Sequence, residues 1–198
     1  MKSLTLDDLL SLEEFVSRLR ELFEAQRRYV DRYRRIRIGP KATLIFENRQ
    51  TLWFRVQDIL RVARMSDPQL IQAELNVYNQ FLPKRDSLQG ALMIDIKENL
   101  IEELKPWQNF TGENILMHVG ECEVSARLIT SRLEDRVIGS SHWLQFDIDS
   151  DARARLMDDA QRLTFEITLE SYSHQSTPVG NDVRQSLLDD LTLSDRAA

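Results

Sequence analysis

The chain has 198 residues, 42% hydrophobic and 29% charged, the proportions of a globular domain. A net charge of −6 argues against a dedicated nucleic-acid binder, and a single cysteine excludes an intrachain disulfide and any multi-cysteine zinc or iron–sulfur site. The first residues lack the apolar core of a signal peptide and no run approaches the ~20 apolar residues of a spanning helix, so a cytoplasmic protein with no membrane partner is expected.

Leu12, Phe15, Val16, Leu19, Leu22, Phe23, Val30 and Tyr33 recur at helical spacing, which predicts one amphipathic helix from about Leu12 to Tyr33. Ser11 and Glu14 form the capping box that would start it, and it should stop before Gly39-Pro40. Ala42–Phe46 is a short apolar run between turn residues and reads as a strand. Asn48 can cap a second helix, about Arg49 to Met65, burying Trp53, Val56, Leu60 and Ala63. Asp67-Pro68 opens a third, with Leu70, Ile71, Leu75 and Tyr78 on its stripe and its end before Pro83.

From Leu88 the period becomes two. Leu88 to Ile96 is a strand, followed by a short helical stretch over Glu98–Leu104. Residues 114–129 alternate throughout and read as one strand; 137–148 and 163–169 give two more. Ser150 can cap a small helix near 152–159, and 186–191 carry a weak helical signal. The sum is one α+β domain: a helix-rich part over 1–85, a strand-rich part over 86–175 and a tail over 176–198. The N-terminal helices are expected to pack on a mainly antiparallel sheet built as a meander.

None of the common phosphate-loop, dinucleotide, hydrolase-elbow or zinc-protease signatures occurs. Three groups of residues remain. Residues 20–41 carry eight basic side chains, including Arg20, Arg27, Arg28, Arg34, Arg35 and Arg37, against three acidic ones. This is a candidate surface for an anion or an acidic partner, set against an acidic stretch over 142–198. His118, Cys122 and His142 lie in the strand-rich part and are weak candidates for a metal site, provided the pleat runs unbroken through Gly120. Glu47, Gln57, Arg61 and Glu74 are expected to gather near Tyr78 and Asn79 in one polar pocket. The helical i,i+4 spacing stacks Gln57 on Arg61 and Glu74 on Tyr78.

The segments Ile38-Gly39-Pro40 and Leu44-Ile45-Phe46-Glu47-Asn48, with Thr51, Gln57 and Leu60-Arg61, resemble the signature of an uncharacterised bacterial family, domain of unknown function 3501. Leu4 to Leu10, Glu74-Leu75, Tyr78-Asn79, Pro83 and Ser140-Ser141-His142-Trp143-Leu144-Gln145-Phe146 fit as well; Ala63 departs, standing where the family usually has Glu. Similar proteins are often encoded beside rubrerythrin-like proteins and iron–sulfur oxidoreductases. The resemblance therefore implies an accessory or binding protein of a redox or peroxide-defence system, with a protein partner (a redox protein or a second copy) and no cofactor of its own. Two further readings stay open: an enzyme acting on a small anionic molecule through Glu47, Gln57 and Arg61, and a histidine-based metal-binding protein.

Overall fold

The N-terminal helical stretch is interrupted. In the computed structural model, which describes residues 1–95, 103, 105–107, 109–129 and 141–195, α1 (Leu12–Ser17) and α2 (Leu19–Tyr33) replace the single expected helix, with Arg18 between them at φ −106°, ψ 11°. Ser11 caps α1 by accepting from the Glu14 amide. Phe15 and Val30 are buried, but Val16 is 50% exposed, because the break rotates the two halves of the apolar stripe apart.

α2 leads into a strand that the sequence reading missed, β1 (Arg35–Ile38). Its isoleucines are buried and its arginines exposed, in strict alternation. β2 (Ala42–Phe46) follows where expected. α3 (Arg49–Ala63) starts on Asn48, whose Oδ1 accepts from the Gln50 and Thr51 amides, and α4 (Pro68–Asn79) starts on Asp67. β3 spans Ser87–Ile94. The expected continuation to Ile96, the helix over Glu98–Leu104 and residues 137–140 lie outside the described residues, apart from isolated positions.

The 114–129 segment is a hairpin rather than one strand: β4 (Ile115–Val119) and β5 (Cys122–Leu128) are joined by Gly120 and Glu121. Gly120 sits at φ +61°, the left-handed value that lets a glycine turn two strands back on each other. β6 (Ser141–Asp147) is followed by α5 (Ser150–Met157), which is capped by Asp149 rather than Ser150. β7 (Leu163–Leu169) is as expected; β8 (Tyr172–Gln175) and the full length of α6 (Asn181–Asp195) are not.

Among the described residues, eight strands form one antiparallel sheet in the order β1–β2–β3–β6–β5–β4–β7–β8. The meander expected of the strands from Leu88 onward holds over β4–β6, but β3 pairs with β6 and β7 with β4. The sheet curls until its ends meet. The Tyr172 hydroxyl on β8 donates to the Ile38 carbonyl at 2.6 Å and accepts from the Lys41 and Ala42 amides at 3.1 Å each, tying the last strand to the β1–β2 turn. Gly39 in that turn, at φ +69°, leaves no room for a side chain: a Cβ would lie 2.5 Å from His174 Cγ.

Two apolar cores result. Inside the curl, Phe46, Phe146 and Phe165 meet with centroids 5.5–5.7 Å apart, closed off by Leu156 of α5 and Leu187 and Leu191 of α6. Arg184 of α6 locks α5 in place by donating to the Arg155, Leu156 and Asp158 carbonyls at 2.7–2.9 Å, acceptors that a helix end leaves open. On the outer face, α3 and α4 bury Leu52, Val56, Leu60 and Leu75 with Leu4 and Leu82. Strand parity assigns neighbours to different cores: Leu144 and Phe146 face in, whereas Trp143 faces out and stacks on Phe81 at 4.0 Å.

Candidate functional site

The junction of β2 and α3 sets two side chains to work in different places. The Glu47 amide extends the strand ladder by donating to the Gln89 carbonyl at 2.8 Å, so the Glu47 side chain follows strand parity to the outer face. Asn48 leaves the strand to cap α3 and reaches toward α2, where its Nδ2 donates to the Tyr29 hydroxyl at 2.8 Å.

Glu47 is wholly buried. Its Oε1 receives both Nε and Nη2 of Arg55, at 2.9 and 2.6 Å. Arg55 is held from the other side by Trp143, whose ring centroid lies 5.2 Å from the guanidinium carbon. Burial works against the Arg55 charge, but Glu47 outweighs it and keeps the guanidinium above its ordinary pKa. Among the described residues Glu47 Oε2 has no hydrogen-bond partner. A cavity of about 250 Å³ lies here between α2, α3, α4 and β2, with Glu47, Arg55, Asp58 and Tyr78 in its wall.

Asn48 lines a larger groove, about 960 Å³, bounded by residues 1–8, α2, the start of α3 and α6. Its floor is a cluster of interlocked side chains. Arg34 is ion-paired to Asp190 of α6, with both side chains almost wholly buried, and its Nε and Nη2 also donate to the Tyr29 hydroxyl at 3.2 and 2.9 Å. Burial opposes the Arg34 charge, and Asp190 and Tyr29 override it, so its pKa is raised. Asp190 is raised as well, because burial outweighs Arg34 and Asn48. The Tyr29 oxygen accepts from Arg34 and Asn48, which leaves the Tyr29 O–H as the donor this cluster can offer a ligand. Tyr33 and Trp53 supply aromatic surface, and Gln185, Ser186 and Asp189 form the α6 wall. The N-terminal wall is fastened by Arg49, which donates to the Lys2 carbonyl at 3.2 Å and pairs with Asp8 at 2.6 Å, holding the Asp8 carboxyl down at a pKa of about 2.

The expected polar pocket is thus dispersed. Glu47 and Tyr78 share the smaller cavity, but the arginine that reaches Glu47 is Arg55, two helical turns from the Asn48 cap. Arg61 instead holds Asp58 on its own helix, at 2.9 and 2.7 Å. Gln57 turns away and donates to the Leu10 carbonyl at 3.3 Å in a separate apolar crevice. Asn79 clamps the N-terminal segment, accepting from the Leu4 amide at 2.7 Å and donating to the Leu4 carbonyl at 2.9 Å. Glu74 is half-exposed on α4 and lines neither cavity.

Arg34 is the correction within the basic segment, since it is part of the interior and not of a surface. Arg20, Arg27 and Arg35 pair with Glu24 or Asp31 along the chain, Arg37 donates to the Pro40 carbonyl, and Arg28 is exposed. Arg32 reaches Asp182 at 2.8 Å, so Arg32 and Arg34 both pair with aspartates of the chain's own α6, while Lys41 pairs with Glu103 at 3.0 Å.

His118, Cys122 and His142 do not converge. The turn at Gly120 puts His118 opposite Glu123, and its ring lies between Glu166 and Glu123 at 3.0 and 3.5 Å on the outer face. Cys122 pairs with Val119 and packs on the inner core, where burial, with Asp149 next, pushes its thiol pKa up. His142 faces inward against Phe110, with ring centroids 4.9 Å apart. Among the described residues no group of three or more His, Cys, Asp or Glu is placed to hold a metal ion, and no helix is long and apolar enough to cross a membrane.

Tyr29, Arg55, Trp143 and Asp190 were missed as site residues. Trp143 could have been found, since it alternates against Leu144 and Phe146. Asp190 could not, because its helix is polar enough to read as a tail.

A family model described as "Protein of unknown function (DUF3501)" matches residues 3–191. A crystal structure of a novel protein of unknown function from Burkholderia pseudomallei K96243 has the same fold, with a TM-score of 0.84 and 24% sequence identity, over 96% of this chain and 100% of that one. No curated protein matches the chain.

Proposed function

Since the chain belongs to the DUF3501 family, whose description carries no activity, we propose from its geometry that it is a binding protein that takes its ligand in the groove between α2 and α6. One observation carries the reading: a groove of about 960 Å³ is floored by a cluster of Tyr29, Arg34, Asn48 and Asp190 and walled by Tyr33 and Trp53. A few convergent polar groups beside aromatic surface in a cavity of this size are what a ligand site requires. Three of the groove's aspartates are already matched, Asp8 by Arg49, Asp182 by Arg32 and Asp190 by Arg34. Recognition would then rest on hydrogen bonds from groups such as the Tyr29 O–H and on stacking, which favours a polar, uncharged ligand with a flat apolar part.

The resemblance of the chain to proteins encoded beside rubrerythrin-like and iron–sulfur proteins supports a cytoplasmic accessory role in redox or peroxide defence, with any electrons carried by the partner. A gene deletion complemented with wild type or Ser186→Trp tests both parts. Ser186 lines the groove on α6, one helical turn before Asp190. The reading expects a peroxide-sensitive deletion that wild type rescues and Ser186→Trp does not. Rescue by Ser186→Trp would remove the groove, and a deletion without sensitivity would remove the redox role.

A further inference from the structure

Next to the groove along the same face of α2, the cavity over Glu47 holds a mismatch that the fold leaves unresolved. Glu47 Oε1 takes both hydrogen bonds from Arg55, while Oε2, buried to the same degree, takes none among the described residues. Arg55 cannot swing across to serve it, being fixed by Oε1 and by the Trp143 ring. The remaining guanidinium nitrogen, Arg55 Nη1, makes no hydrogen bond among the described residues either. Asp58, in the same wall, is about one-third exposed and holds Arg61 through Oδ1. A buried carboxylate oxygen without a donor is destabilising, so the site is poised for a group that donates to it.

We infer that this cavity is a second binding site, for a small neutral ligand bearing a primary carboxamide. The charges decide against an ion: Glu47 and Asp58 are already matched one for one by Arg55 and Arg61, so neither an ammonium nor a carboxylate finds an uncompensated partner. A carboxamide carries both halves of what is missing, an N–H for Glu47 Oε2 and a C=O for a guanidinium donor. Its alkyl part would lie against Val30, Ile45, Phe54 and Ile59. The volume of about 250 Å³ admits a compact molecule rather than a peptide chain. The site is independent of the groove at Asn48, and either can stand if the other falls.

Three probes of similar size separate the possibilities: propionamide, propionate and propylammonium. Each is titrated into the isotope-labelled intact protein while the Trp143 indole and Tyr78 ring resonances are followed. Propionamide is expected to give saturable shifts at both residues, with the two ions binding about tenfold more weakly or worse. Glu47→Gln should abolish the propionamide response. Should that variant fail to fold, Ile59→Phe, which narrows the cavity and leaves the Glu47–Arg55 pair in place, should abolish it instead. No saturable shift in the wild type, equal response to either ion, or an unchanged response in folded Glu47→Gln or in Ile59→Phe would overturn the inference.

Discussion

Glu47 and Asn48 are consecutive in the chain yet serve different cavities, because one ends a strand and the other caps a helix. Glu47 points to the outer face and meets Arg55; Asn48 points toward α2 and joins Tyr29 above the Arg34–Asp190 pair. A two-residue segment thereby connects two ion pairs, each with a buried carboxylate, and mutations at either pair should report on it.

Removing Arg34 should be costly, because Asp190 would be left buried and unmatched. Arg34→Met is expected to lose ~3–5 kcal/mol. The double variant Arg34→Met/Asp190→Leu, which leaves no stranded charge, should recover most of that. Urea denaturation of the two singles and the double gives the coupling directly, and simple additivity would show that the pair is not coupled.

The two arginines of α3 should behave differently although each contacts one carboxylate. Arg55→Ala strands wholly buried Glu47 and should cost ~3–5 kcal/mol. Arg61→Ala breaks a pair in which both side chains are about one-third exposed, and should cost ~1 kcal/mol or less. Equal losses in urea melts would contradict the burial difference.

That contrast also marks how far the sequence could be read. The Asn48 and Asp67 caps, α3, α4, β2 and β7 follow from local chemistry that tertiary contacts do not override. β1 was hidden because Arg35 and Arg37 fall in a basic segment between the helix and the Gly39-Pro40 turn, and β4 and β5 merged because Gly120 and Glu121 make a turn too short to interrupt the alternation. Within the site, Glu47, Asn48 and Tyr78 were legible from a strand end, a cap and a helix stripe. Their partners were not, since Arg55 is chosen by the angle at which α3 leaves the strand, and Asp190 arrives 156 residues after Arg34.

Acid should release the N-terminal wall of the groove. The Asp8 carboxyl, held by Arg49 at about 2 against an ordinary 3.8, stabilises the fold fully above the ordinary value and loses that contribution as the pH falls through about 2. The stability difference between wild type and Asp8→Asn should therefore be present at neutral pH and vanish at the acid end. A difference that persists unchanged would show that Asp8 acts through something other than its charge.

The sheet closure depends on one hydroxyl. Tyr172→Phe keeps the ring in place but removes the bridge to Ile38, Lys41 and Ala42, leaving buried backbone groups unmatched at a cost of ~1–3 kcal/mol. Amide exchange should quicken in the β1–β2 turn and β8 while the β3–β6 centre is unaffected. Uniform exchange across the sheet would contradict a local role.

The account rests most heavily on the groove floored by Arg34 and Asp190, and ligand-induced stabilisation tests it most directly. Intact wild type and Ser186→Trp are melted in the presence of a panel of uncharged, polar aromatic metabolites. A ligand at about a hundred times its Kd adds ~2.7 kcal/mol, which for a chain of this size raises Tm by about 5 °C or more. The account predicts such a rise for wild type and none for Ser186→Trp with the same compound; no rise across the panel, or the same rise in both proteins, would contradict it.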